Sequence, residues 1–237
     1  MAVAFRDAGA IVSGTGGVTV SSNASHALND IDLLFVETPA QEPFLTTPNG
    51  FVEVTGGNAT IGTGGEADAT DLTVFWRRWN GVAGDPVIQN VADHIIAIVL
   101  HYTGCITSGN PINVAGNNTN AATNDATITG VTTTVDACGV VSAITGALPD
   151  AVGTTEFSSF TNAGLASITE TSDNTRADGN GGAIGTAFGL RTTAGATGST
   201  IVTSATSTEK AAVMIALLPT GPVGKQASTW WGAMGYW

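Results

Sequence analysis

The chain has 237 residues, 43% of them hydrophobic and 11% charged, with 31 glycines and a formal net charge of −12. That composition supplies a core, lacks the Glu, Lys, Leu and Arg of a helical protein, and carries apolar runs too long for a disordered one. Its 7 Lys and Arg cluster no further than Arg77-Arg78, so neither nucleic acid nor an anionic membrane is an expected partner.

No window approaches the roughly 18 apolar residues of a membrane-spanning helix. No basic region leads into an apolar stretch at the N-terminus, so no secretion signal is expected. With no such signal, Cys105 and Cys138 read as two buried thiols.

In chain order, short β-type runs recur between Gly, Asn, Pro and Thr clusters. The first are VTVS (18–21), IDLLFVET (31–38, stopped by Pro39) and GFVEVT (50–55). DLTVFWRRW (71–79) follows. It places Leu72, Val74, Trp76 and Arg78 on one face and Thr73, Phe75, Arg77 and Trp79 on the other. A strand with both faces partly covered is the expectation. HIIAIVLHY (94–102) is nearly continuous in apolar residues, the mark of a central buried strand. The second half continues with ATITGVTTTV (126–135), CGVVSAIT (138–145), GLASITET (164–171), TAFGLRTT (186–193), STIVTSA (199–205) and KAAVMIALLP (210–219). The last is short for a helix and ends on Pro219, so it too reads as a strand.

The halves echo each other. The segments starting at Asp30, Leu72 and Asp93 find counterparts starting at Asp136, Thr186 and Glu209, at offsets of 106 to 116 residues. Each half alone would leave an apolar sheet face uncovered, so one joint core is expected. The fold class is therefore all-β: an antiparallel two-sheet sandwich, jelly-roll-like with two Greek-key halves. Residues 1–219 form the single sandwich, and 220–237 an extended C-terminal arm.

The order DIDLLFVET, GFVEVTGG, LTVFWRR, DHIIAIVLHYTG and AAVMIALLP resembles a widespread group of bacteriophage virion proteins and related β-sandwich modules. The resemblance covers about residues 1–219, with Phe51 where the group usually has Trp. Its motifs are core-strand motifs, specific for fold and weak for function. It implies a head decoration (cement) protein: a non-enzymatic homotrimer, made in the host bacterial cytoplasm and bound to the major capsid protein on the virion capsid surface. A tail- or fibre-associated module that binds a glycan or receptor is the alternative.

Little catalytic chemistry is legible. His94 and His101 flank the apolar run seven residues apart and so face opposite sides of a regular strand. No nucleophile elbow or HExxH is present. Asp173 to Asp178, DNTRAD, has oxygen ligands but not the spacing of a calcium loop, and reads as a solvated turn. The GTGG runs at 14–17 and 62–65 read as turns. Arg77 and Arg78 beside Trp76 and Trp79 suit stacked packing, or an exposed aromatic patch for sugar. No catalytic residue, metal ligand or cofactor is assigned. The assigned interaction residues are Trp230, Trp231, Tyr236 and Trp237, which crowd the end of the arm. Each large aromatic can bury about 150–250 Å², so the arm reads as an assembly device.

Overall fold

A computed structural model describes residues 1–22, 26–63, 68–82, 84–89 and 93–221. The first half supplies β1 (Ala4–Ala8), β2 (Val12–Gly14), β3 (Val18–Thr19), β4 (Ile31–Thr38), β5 (Leu45–Thr47), β6 (Val52–Ile61), β7 (Thr70–Arg78), β8 (Val87–Ile88) and β9 (Ile95–Thr103). The second supplies β10 (Ile112–Ile128), β11 (Thr132–Thr133), β12 (Cys138–Gly146), β13 (Phe157–Thr161), β14 (Ala166–Arg176), β15 (Gly182–Arg191), β16 (Gly195–Ala196) and β17 (Thr200–Leu217). All pairings between them are antiparallel.

Each half builds one sheet. The first has the order β1-β9-β4-β7-β6, and the second β10-β17-β12-β15-β14. Numbering the five long strands of each half in chain order, both sheets read 1-5-2-4-3. The sequence echo is therefore a structural repeat, with β4, β7 and β9 answering β12, β15 and β17. The two sheets form a sandwich over a joint core. Leu33, Phe35, Leu72, Val74, Ile98 and Leu100 of one sheet meet Val141, Ile184, Val213 and Ile215 of the other. Fully burying such a side chain contributes about 1.5–3 kcal/mol, and neither sheet could do so alone.

The outer face of each sheet is also covered, which explains why β4 and β12 are buried along their whole length. A small sheet, β3-β8-β5, covers the first: Val20, Phe51 and Ile88 close over Leu34, Val36, Ala97 and Val99. The second is covered by a device the sequence did not disclose. Strand β17 runs 18 residues, joining STIVTSA and KAAVMIALLP without a break. It pairs with the 17-residue β10 from Ile112↔Leu217 to Ile128↔Thr200. The ribbon folds back on itself near its irregular register between Asn120 and Asp125. Across the fold, Asn118 donates to the Thr127 carbonyl (2.8 Å) and accepts from Thr129 N (2.7 Å), and Asn120 accepts from Thr127 N (2.9 Å). The returning half lays Ala126, Ile128, Val202 and Phe157 of neighbouring β13 over Val140, Ile144, Ala212 and Met214. Gly185 allows this close approach, since a Cβ there would lie 2.6 Å from the Phe157 ring.

Candidate functional site

The clearest constellation lies on the outer face of the first sheet. Asp32 on β4 stands opposite Arg77 on β7 and His101 on β9, so three cross-strand neighbours form one polar row. His26 enters from the preceding loop and stacks on Trp79, with ring centroids 4.2 Å apart. Three atoms converge. His26 Nε2 lies 2.7 Å from His101 Nδ1 and 3.1 Å from Asp32 Oδ1, and His101 Nδ1 is 2.9 Å from that oxygen. Among the described residues this is the group whose ligand atoms are close enough to hold a metal ion.

The second oxygen of Asp32 is taken by Arg77 Nε at 2.8 Å. Arg77 also donates to the carbonyls of Asn49 (3.2 Å) and Gly84 (2.7 Å) and to Ser22 Oγ (2.7 Å), lying over Phe51 and Trp79. All four polar side chains are at most 2% exposed. Burial lowers the His26 imidazole from its usual value, against the attraction of Asp32. His101 Nε2 has no hydrogen-bond partner.

A second polar network crosses the inter-sheet space. His94 Nε2 meets Glu37 Oε2 at 2.9 Å, and its Nδ1 meets Asp93 at 3.1 Å. Glu37 accepts from Thr70 on β7 (3.0 Å), which contacts Thr145 on β12 at 3.1 Å. Asp93 accepts from Asn180 N in the β14–β15 turn. There Gly179, at φ +59°, leaves room that a Cβ would fill 2.2 Å from Asp93 Oδ2. Burial alone would lower the His94 pKa, but Glu37 and Asp93 override it and raise it to about 9. Burial pushes Glu37 itself upward, although His94 and Thr70 oppose this. A shared proton between two buried groups fits both directions. The network is a clamp between sheets.

Two further buried charged side chains, Lys210 and Glu156, hold the folded ribbon. Lys210 Nζ donates to the carbonyls of Thr123 (2.6 Å) and Thr208 (2.7 Å) inside the bend. Glu156 accepts from Thr206 N and Thr206 Oγ1, both at 2.9 Å, and from Ser204 Oγ.

These positions settle several expectations. His94 and His101 do face opposite sides and serve different networks. His26, which no pattern in the sequence marks, is the partner that brings His101 into a cluster. Asp173 and Asp178 are not gathered into a ligand set. Asp173 lies in β14 and accepts from Glu156 N (2.9 Å), whereas Asp178 accepts from Ser13 Oγ. Arg77 is buried at 1% exposure, so it belongs to the packing of the loops and not to an exposed sugar-binding patch. Cys105 and Cys138 are both buried free thiols. Trp230, Trp231, Tyr236 and Trp237 lie outside the described residues.

The root of the arm does lie within them. Thr220 N donates to the Gly104 carbonyl (2.7 Å), and Met1 N donates to the Thr220 carbonyl (3.1 Å). Beside these contacts is a cavity of about 730 Å³, lined among others by Met1, Ile106, Val135, Leu218 and Gly221. Among the described residues of that lining, Asp136 is the carboxylate and none is a histidine or cysteine.

No protein-family model, curated protein or solved structure matches this chain.

Proposed function

We propose that this chain is a non-enzymatic structural protein of a phage virion, which decorates and stabilises the capsid by binding the major capsid protein. The observation that carries the non-enzymatic part is where the chemistry-bearing groups sit. Asp32, Arg77, His94, Glu37, Glu156 and Lys210 are buried and bonded to one another or to backbone, clamping loops, sheets and the folded ribbon. Catalysis needs such groups beside a space that substrate can occupy. The 730 Å³ cavity is instead mainly apolar and opens where the aromatic arm departs.

The binding element in this proposal is the arm, through Trp230, Trp231, Tyr236 and Trp237. From Gly221 to Trp237 the chain could reach at most about 55 Å at 3.3–3.6 Å per residue, enough to meet a neighbouring subunit. A net charge of −12 keeps a surface protein away from packaged DNA and suits docking on a neutral or positive capsid face. The capsid as partner, the homotrimer and the location on the virion surface rest on the resemblance of the core strands to virion proteins. An exposed aromatic patch at Arg77 would suit the glycan-binding alternative, but Arg77 is buried.

Imaging particles made with and without the protein tests this directly. Density at regular positions on the capsid lattice, absent from the deletion particles, is expected. Density confined to tail or fibre would overturn the capsid assignment.

A further inference from the structure

We propose that His26, Asp32 and His101 bind a divalent first-row transition metal of the zinc class, as a structural site that fastens the loop before β4 to the sheet. The proposal stands apart from the capsid reading and depends on the geometry of three atoms.

The first observation is spacing. The three donor atoms form a triangle with sides of 2.7, 2.9 and 3.1 Å. Nitrogen and oxygen ligands sit about 2.0–2.2 Å from zinc, so two ligands at the tetrahedral angle lie about 3.4 Å apart, and the triangle would open by a few tenths of an ångström around the ion. Two imidazoles and one carboxylate oxygen therefore supply three of four tetrahedral ligands, with one position left to a water. Imidazole with carboxylate suits zinc, iron or nickel better than calcium or magnesium.

The second observation is proton bookkeeping at that triangle. With the Asp32 carboxylate paired to Arg77 through Nε, only the two ring nitrogens carry a hydrogen there. If both do, two hydrogens crowd a 2.7 Å gap. If His26 alone does, the bare His101 Nδ1 faces the carboxylate at 2.9 Å. If His101 alone does, the bare His26 Nε2 faces it at 3.1 Å. Each of these three assignments leaves one repelling contact among side chains that are 0–2% exposed, where such a contact is costly. A cation at the centre satisfies all three lone pairs together.

The surroundings also fit. Arg77 binds Oδ2 and so orients the carboxylate with Oδ1 toward the triangle, the part that outer partners play at metal sites. Its positive charge opposes a dication. Asp30 places a second carboxylate close by, accepting from Ala27 N at 2.8 Å, although it is itself paired with Arg6 at 2.8 Å. The side chains of the three donors are 0–2% exposed, which suits a structural ion and not a catalytic one.

The test uses the full chain, stripped with EDTA and titrated with Co²⁺ or Zn²⁺ alone. One Co²⁺ per chain, a visible d–d band and a rise in melting temperature with Zn²⁺ are expected. His26→Phe keeps a ring against Trp79 but removes the nitrogen, and should weaken uptake at least about tenfold, since loss of even an outer partner of a ligand costs about 10–100-fold. No uptake by the wild-type chain, or equal uptake by His26→Phe, overturns the proposal. Should that variant misfold, X-ray absorption of the zinc-loaded wild type decides. A first shell with two imidazoles supports the site, and one with none refutes it.

Discussion

Stability should fall as pH rises from 7 to 9, because of one proton on His94. Its pKa moves from 6.5 to about 9 on folding, held there by Glu37 and Asp93 against the cost of burial. A raised folded pKa means that the native state holds a proton the unfolded chain has lost. The resulting stability is complete below pH 6.5 and disappears as pH passes about 9. One proton corresponds to about 1.4 kcal/mol per pH unit, so the window holds about 3 kcal/mol. Glu37, pushed upward by burial, loses stability in the same direction from pH 4.5 upward. His26, whose pKa is lowered, acts in the opposite sense below pH 6.5, so measurement starts at pH 7. Urea unfolding midpoints at pH 7, 8 and 9 provide the assay. In Glu37→Gln, the neutral amide still reaches Thr70, but the charge facing His94 is gone. Breaking a buried pair this way should cost about 3–5 kcal/mol at pH 7 and flatten the slope. A wild-type midpoint that does not move between pH 7 and 9, or a variant with the wild-type slope, would refute this account of the clamp.

Three other outcomes follow from the buried groups. Arg77→Met leaves Asp32 Oδ2 without its cation and frees the Asn49 and Gly84 carbonyls, so chemical denaturation should record a loss of about 3–5 kcal/mol. Burial raises Asp173 to about 6, so its charge penalises the fold at neutral pH. Asp173→Asn keeps an acceptor for Glu156 N, and calorimetry should find a higher melting temperature at pH 7.5, with the gain shrinking at pH 4. The Cys105 thiol is buried and pushed up to about 12. A thiol reagent should therefore leave it unmodified in the native protein and label both cysteines in urea.

The long apolar strands were legible because their side chains carry the signal. IDLLFVET became β4 and CGVVSAIT became most of β12, both buried on two faces, and their density in β-branched residues announced it. The repeat was legible too, since equivalent strands meet equivalent neighbours. Strand β10 was not. INVAGNNTNAATNDATI is half-buried or exposed at all but two residues and shows no apolar alternation, because it lies at the sheet edge and is held by β17 through backbone. Its fold-back depends on Asn118 and Asn120, whose amides bond backbone about eight residues away. The His26 cluster was illegible for a related reason. His26 and His101 are 75 residues apart, and only the β4–β9 register and the return of the loop bring them together.

The central claim is that a self-clamped sandwich binds capsid through its aromatic arm. Co-sedimentation of purified protein with undecorated capsids tests it most directly, comparing the full chain with one ending at Gly221. The full chain should pellet with capsids, and the truncated chain should stay in solution with its melting temperature unchanged. Equal pelleting of both chains would contradict the role of the arm, and pelleting of neither would contradict capsid binding itself.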